Sequence, residues 1–281
     1  MPYSCEFTHA ICRKPGAELN SGLRALDTGN PDPARFARDH ADYVDTLREA
    51  GVEVTVLGPL PDHPDGVFVE DTALCLPGGV ILMRPRAPSR EGEVAHIAPA
   101  LRAIYGEAVS AITAPGRIEG GDILTTEREV LVGLSARTDA SGIELLRQGL
   151  NRLGHTLRVV GTPPGVLHFK TDCSLLDPET VLATRRLSHT GCFAGYRVLN
   201  TAEGEDAAAN AIRVNRLVLM AAGHPRTAEL LMRQGYDVRQ IGNTEAAKLD
   251  GGMSCLSLRL TEPPLPTQRP TENAAPIPER R

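Results

Sequence analysis

The apolar positions fall into short runs, and the runs recur in a fixed order: a strand, a turn, a second strand, a helical stretch and a further strand. Val67 to Cys75 and Val80 to Met83 flank the turn Pro77-Gly78-Gly79, after which Glu91 to Tyr105 has helical spacing and Ala108 to Ile112 is strand-like. Asp122 to Thr125 and Val130 to Gly133 flank a polar turn, and a helix over Ser141 to Leu153 and a strand over Thr156 to Val160 follow. A third strand pair spans Cys173 to Leu176 and Val181 to Ala183 across Asp177-Pro178. The fourth spans Ala211 to Val214 and Arg216 to Met220, ahead of a helix over Pro225 to Gln234 and a strand over Asp237 to Ile241.

The two termini complete the count. Cys255 to Leu260 reads as a strand with no partner after it; Glu6 to Cys12 reads as one with none before it, leading to a helix over Pro33 to Glu49 and a strand over Val52 to Leu57. Pairing those terminal strands gives five units in a ring, closed as propellers close. The expected architecture is therefore α/β, a five-bladed α/β propeller of ββαβ-like repeats forming one domain over residues 1–260. Hairpins and helices also alternate in other α/β proteins, so the pattern alone leaves an open arrangement available. Beyond Leu260 the chain carries Pro263, Pro264, Pro266, Pro270, Pro276 and Pro278 and no apolar periodicity, which predicts a disordered or weakly docked tail.

Composition narrows the function classes. With 281 residues, 41% hydrophobic and 23% charged, the chain matches soluble globular domains and can bury a sizeable core. The longest apolar runs, such as Leu217 to Ala222, are too short to span a bilayer, so no membrane partner is expected. Met1 to Ala10 lacks a basic start followed by an apolar stretch, and the expected location is cytoplasmic. A net charge of −5 disfavours nucleic acid and suits a cationic small molecule. The six cysteines show no Cys-x-x-Cys or His-x-x-x-His spacing, which argues against a structural zinc site or a redox pair. The oligomeric state is not set, and a homodimer is compatible with the chain.

Glycine-rich phosphate loops and the Gly-x-Ser-x-Gly elbow are missing. What remains is a set of acidic, glycine-rich strand ends: Asp65-Gly66-Val67-Phe68-Val69-Glu70-Asp71, Ile118-Glu119-Gly120-Gly121-Asp122 and Leu249-Asp250-Gly251-Gly252-Met253-Ser254-Cys255. Each has an ordinary explanation. Adjacent acids are commonly a solvated turn, glycine pairs a bulge, and a lone histidine such as His168 a structural residue. A cysteine after two glycines nevertheless has a chemical use, since glycine admits a substrate to the backbone and keeps a thiol accessible.

Together with Arg84-Pro85-Arg86-Ala87-Pro88-Ser89-Arg90, Val132-Gly133-Leu134-Ser135-Ala136-Arg137-Thr138 and Leu167-His168-Phe169-Lys170, these segments resemble the dimethylarginine dimethylaminohydrolases, members of the guanidino-modifying pentein superfamily. The resemblance runs from about Thr8 to Leu260, with six short matches in the same order. It implies a five-bladed α/β propeller, no metal or organic cofactor, and a methylated arginine as the guanidino substrate. By position it makes Cys255 the nucleophile, His168 the general acid and base, and Glu119 the group that holds the histidine or the substrate guanidinium. Asp71 matches the guanidinium-binding carboxylate, Asp65 the contact to the α-amine and Glu70 a further acid in the pocket. Arg90 and Arg137 match positions that hold the α-carboxylate, a task suited to the guanidinium fork. Leu23 would lie on a flap over the pocket, and Leu249 would offer a backbone carbonyl to the α-amine.

The chemistry calls for these residue types. A guanidinium carbon is a poor electrophile that needs a strongly nucleophilic thiolate, and the departing amine must be protonated. Segment Lys14 to Arg24 departs most from the family, which bears on substrate preference more than on reaction type. Arginine deiminase chemistry, amidinotransfer and non-catalytic arginine binding are the alternatives. The deiminases usually carry an extra helical domain after the first repeat, whereas Arg86 to Ala108 has room for one helix.

Overall fold

The computed structural model describes residues 3–261; the predicted tail lies, beyond Thr261, outside the described residues. The first elements are strand β1 (His9–Arg13), helix α1 (Pro33–Glu49) and strand β2 (Glu53–Leu57). Next come β3 (Ala73–Leu76), β4 (Gly79–Leu82), α2 (Glu93–Tyr105) and β5 (Val109–Ala111), then β6 (Ile123–Thr125), β7 (Val130–Leu134), α3 (Ala140–Arg152) and β8 (Leu157–Gly161). The third unit is β9 (Cys173–Asp177), β10 (Thr180–Ala183), the one-turn α4 (Arg185–Ser188) and β11 (Arg197–Asn200). The last is β12 (Ile212–Val214), β13 (Leu217–Ala221), α5 (Pro225–Arg233) and β14 (Asp237–Ile241), followed by α6 (Thr244–Ala247) and β15 (Leu258–Leu260).

These strands form five three-stranded sheets, each with an antiparallel hairpin and a parallel third strand. The ring closes as the unpaired termini require: β15 lies antiparallel to β1, with His9 opposite Leu260, and β1 runs parallel to β2, with Ala10 opposite Val54. The middle strands β4, β10 and β13 are buried along their whole length, which explains why they read as continuous apolar runs rather than alternations. Apolar packing is divided among five clusters between neighbouring blades and their helices. Helix α1 shows how the sequence dictates an element. Asp32 caps the Ala34 and Arg35 amides, Pro33 occupies the first turn, and Phe36, His40, Tyr43, Val44 and Leu47 recur on the buried face.

Two predicted strands are shorter than the pattern implies. Val67 to Cys75 contains a 3-10 turn at Val69–Thr72 before β3 begins, and Cys255 to Leu260 starts with a 3-10 turn at Ser254–Leu256. The same device stands before the first strand of every blade, at Gly120–Asp122, Phe169–Thr171 and Asp206–Ala209 as well. Three to four residues give no apolar period to detect. These turns pack on one another around the propeller axis, and several of the candidate site residues lie in them or cap them. Strand β11 and helices α4 and α6 also escape the periodic reading, because each has only four residues and β11 is at most half-buried.

Candidate active site

Cys255 sits in the fifth of these turns and is half-buried. The glycines before it answer to neighbouring side chains: a Cβ on Gly251 would lie 2.4 Å from the Phe68 ring, and one on Gly252 would lie 2.3 Å from the Asn210 amide. The Gly252 N–H points at the Cys255 sulfur, 3.4 Å away. Removal from water, and then the Glu70 and Asp71 carboxylates, push the thiol up to about 11; the Gly252 N–H and the Lys170 ammonium oppose them and lose.

His168 stands at the head of the third turn, 7% exposed, with Nε2 2.6 Å from Glu119 Oε2 and 3.9 Å from Asp71 Oδ1. Burial favours the neutral ring. The Asp71, Glu119 and Asp122 carboxylates outweigh it and raise His168 to about 9, so the imidazolium is the resting form at neutral pH. Gly121 makes this packing possible, since a Cβ there would lie 2.7 Å from the His168 ring and 2.9 Å from Asp71 Oδ1.

Glu119 is fully buried and its oxygens are occupied: Oε2 by His168, Oε1 by the Arg86 N–H at 2.9 Å and by Arg137 Nη1 at 3.5 Å. Of the two tasks open to it, this geometry performs the holding of the histidine. Asp71 accepts from the Gly121 N–H and from Arg90 Nη1 at 2.5 Å. Burial alone would raise its pKa, but His168 and Arg90 hold it below the ordinary carboxylate range. Asp71, Glu119 and His168 are close enough to group around a metal ion, yet their ligating atoms already bond to one another, to Arg90, to Arg137 and to backbone amides.

At the other end of the cavity Asp65 takes the Leu23 N–H on both oxygens, at 3.0 and 3.2 Å. Leu23 belongs to the segment expected to be a flap, and Ala25 N–H to Asp250 Oδ2 at 2.6 Å fastens it further. Leu23, Asp65, Asp71, Arg90, Arg137, His168, Leu249 and Cys255 all line this cavity, with Phe68.

Two of the expected residues have further partners. The Glu70 carboxylate, which acts on the Cys255 thiol, bonds Lys170 at 2.6 Å and Arg259 at 3.0 Å and lines the axial cavity. Arg259 in turn holds the Ser254 and Ser257 carbonyls, so Glu70 braces the turn that presents Cys255. Arg90 does not offer an open fork, because Nε and Nη2 are bonded to Glu93, Nη2 also to the Phe68 carbonyl, and Nη1 to Asp71. Arg137, 3.5 Å from one Glu119 oxygen and partly exposed, keeps most of its donors.

Sequence reasoning passes over Asp122 as a site residue. Fully buried, it accepts from Ser135 Oγ and Thr138 Oγ1, each at 2.6 Å, and from the Phe169 N–H at 2.9 Å. It thereby fixes the loop carrying Arg137 to the turn carrying His168. Its place beside two glycines and its short hydroxyl-rich partner segment are the only signals the sequence offers.

The chain is similar to known proteins over most of its length. Residues 56–217 match the family model described as arginine deiminase. The chain is 38% identical over 253 residues to the N(G),N(G)-dimethylarginine dimethylaminohydrolase of Pseudomonas aeruginosa, covering 90% of this chain and 99% of that protein. It is 34% identical over 255 residues to the protein of the same name from Streptomyces coelicolor, covering 90% and 97%. Among solved structures, a cysteine-to-serine mutant of the Pseudomonas aeruginosa enzyme complexed with citrulline superposes with a TM-score of 0.88 at 38% identity, covering 91% of this chain and all of that one. The N-terminal domain of a cyanobacterial arginine dihydrolase, at 22% identity, 92% and 99% coverage and a TM-score of 0.82, shares the fold.

Proposed function

We infer, from the premise that this chain belongs to the dimethylarginine dimethylaminohydrolase family of the pentein superfamily, that it hydrolyses the guanidinium C–N bond of N-methylated arginines, asymmetric dimethylarginine and monomethylarginine. The products are citrulline and dimethylamine or methylamine, and the enzyme is a hydrolase of linear amidines. The observation that carries the reading is the cavity itself. Cys255 and the His168 imidazolium line it beside buried carboxylates, and Asp65 and Arg137 line it too, able to take the two charges of an amino acid.

In this reading Asp71 holds the substrate guanidinium, whose positive charge sends the Cys255 thiol proton to solvent, and Cys255 Sγ attacks the guanidinium carbon, forming a C–S bond. The electron pair of the broken C–N bond leaves on the methylated nitrogen, which takes a proton from the His168 imidazolium. Neutral His168 then takes a proton from water, and the hydroxide adds to the thiouronium carbon. Collapse expels the thiolate, which takes up the hydroxyl proton, and citrulline remains. Glu119 keeps the imidazole oriented throughout, the role a buried carboxylate plays for a catalytic histidine. Residues 1–260 form one catalytic domain in this proposal, supported by the closure of β15 on β1. Cytoplasmic residence belongs to it too, supported by six cysteines that all stand as free thiols.

Arginine deiminase chemistry is the second reading, favoured by the family-model match; between β4 and β5 the chain holds the single helix α2. A citrulline assay with asymmetric dimethylarginine, monomethylarginine and arginine side by side decides. Citrulline from the methylated substrates is expected, and citrulline from arginine alone would overturn the assignment.

The two arginines should separate in kinetics. Arg137→Ala is expected to raise KM with kcat little changed, because a carboxylate contact persists from ground state to transition state. Arg90→Ala is expected to lower the melting temperature as well. It strands Glu93 as an unpaired buried charge and leaves buried Asp71 with His168 as its cation, a change that typically costs about 3–5 kcal/mol. Equal melting temperatures for the two variants would show that the Arg90 network does not have this role.

A further inference from the structure

The resemblance takes a reacting or binding group from four of the five turns around the axis: Asp71, Glu119, His168 and Cys255. The fourth blade contributes none. Its turn, Asp206–Ala209, ends at Asn210, which is 8% exposed and leans against the nucleophile's own turn.

We propose that Asn210 is a further catalytic residue, whose side-chain N–H donates to the Cys255 sulfur and stabilises the thiolate as it forms. This rests on the reading of Cys255 as the nucleophile. The amide orientation follows from its other bond. Oδ1 accepts the Ser254 N–H at 2.9 Å, a backbone donor that only the oxygen can satisfy, and Nδ2 is thereby turned toward Sγ, 3.9 Å away. Among the described residues, Gly252 N and Asn210 Nδ2 are the hydrogen-bond donors within reach of that sulfur. The approach requires Gly252, where a Cβ would lie 2.3 Å from the Asn210 amide. His168 cannot fill this role through Nε2, which is committed to Glu119. Glu70 and Asp71 oppose an anion at the sulfur and Lys170 does not outweigh them, so a neutral donor dipole aimed at the sulfur has a task there.

Asn210→Asp keeps an oxygen for the Ser254 N–H and puts a carboxylate oxygen where the N–H faces sulfur, and Asn210→Ala removes the donor without adding charge. The full-length wild type, Asn210→Asp and Asn210→Ala are treated with iodoacetamide near pH 8.5, and alkylation is followed by mass on the peptide carrying Cys255. Alkylation of Asn210→Asp is expected to be at least about tenfold slower, the change in thiolate fraction that one pKa unit produces. Its kcat should fall by about the same factor with KM within about twofold. Asn210→Ala, which adds no charge, is expected to slow alkylation as well, by about threefold or more. Wild-type alkylation in folded Asn210→Asp overturns the proposal, as does wild-type alkylation in folded Asn210→Ala, because slowing by the Asp variant alone would follow from its charge. A loss confined to KM also overturns it. Alkylation does not depend on turnover, so the test stands even if no methylated arginine proves to be a substrate.

Discussion

Cys255→Ser is expected to release no measurable citrulline from asymmetric dimethylarginine while melting as the wild type does. A hydroxyl ionises far above a thiol, and the burial and carboxylates that already push the thiol up to about 11 leave an alkoxide out of reach. Removing one member of a nucleophile and acid pair commonly costs about a thousandfold or more in kcat. The fold should not notice, because the sulfur makes only long contacts, to Gly252 N and Asn210 Nδ2. His168→Ala should lose turnover to the same degree but also stability. The imidazolium separates Asp71 from Glu119, and both are buried. Turnover within about tenfold of wild type in Cys255→Ser, with an unchanged melting temperature, would remove the covalent mechanism.

In the ligand-free protein Cys255 is expected to react with iodoacetamide slowly at pH 7 and faster by about tenfold per pH unit through the range above 8, with no plateau near neutrality. The sign follows from the surroundings. Burial, Glu70 and Asp71 favour the protonated thiol, and with ionisation near 11 the thiolate at pH 7 is on the order of one part in ten thousand. A guanidinium bound against Asp71 reverses the nearest charge. A cation ~4 Å away at an effective dielectric near 20 is worth about 4 kcal/mol, equivalent to about three pKa units. The substrate would therefore ionise its own nucleophile, and the empty enzyme would stay inert toward other electrophiles. A thiolate formed well below pH 7 without ligand would instead point to a resting ion pair with His168.

Regular elements were legible wherever one face of the chain is buried over several turns. Helix α1 and strand β14 begin and end where their periodicity does, and the partnerless runs at the two termini announced the closure of β15 on β1. The residue types at the site were legible as well, through motifs that resemble a known family. Their division of labour was not. Glu70 and Asp71 are neighbours in sequence, yet a 3-10 turn sends one to Lys170 and Arg259 in the axial cavity and the other to Arg90 and Gly121 beside the substrate cavity. Arg90 and Arg137 look equivalent as written, but Glu93, Asp71 and the Phe68 carbonyl occupy the first and leave the second open. Asp122 is marked only by the two glycines before it and Asn210 by nothing local, since their partners come from other parts of the ring. A sequence records which faces are apolar, because burial repeats along the chain. Which polar group meets which is set by blades that are brought together only when the propeller closes, and that pairing fixes the charges felt by Cys255 and His168.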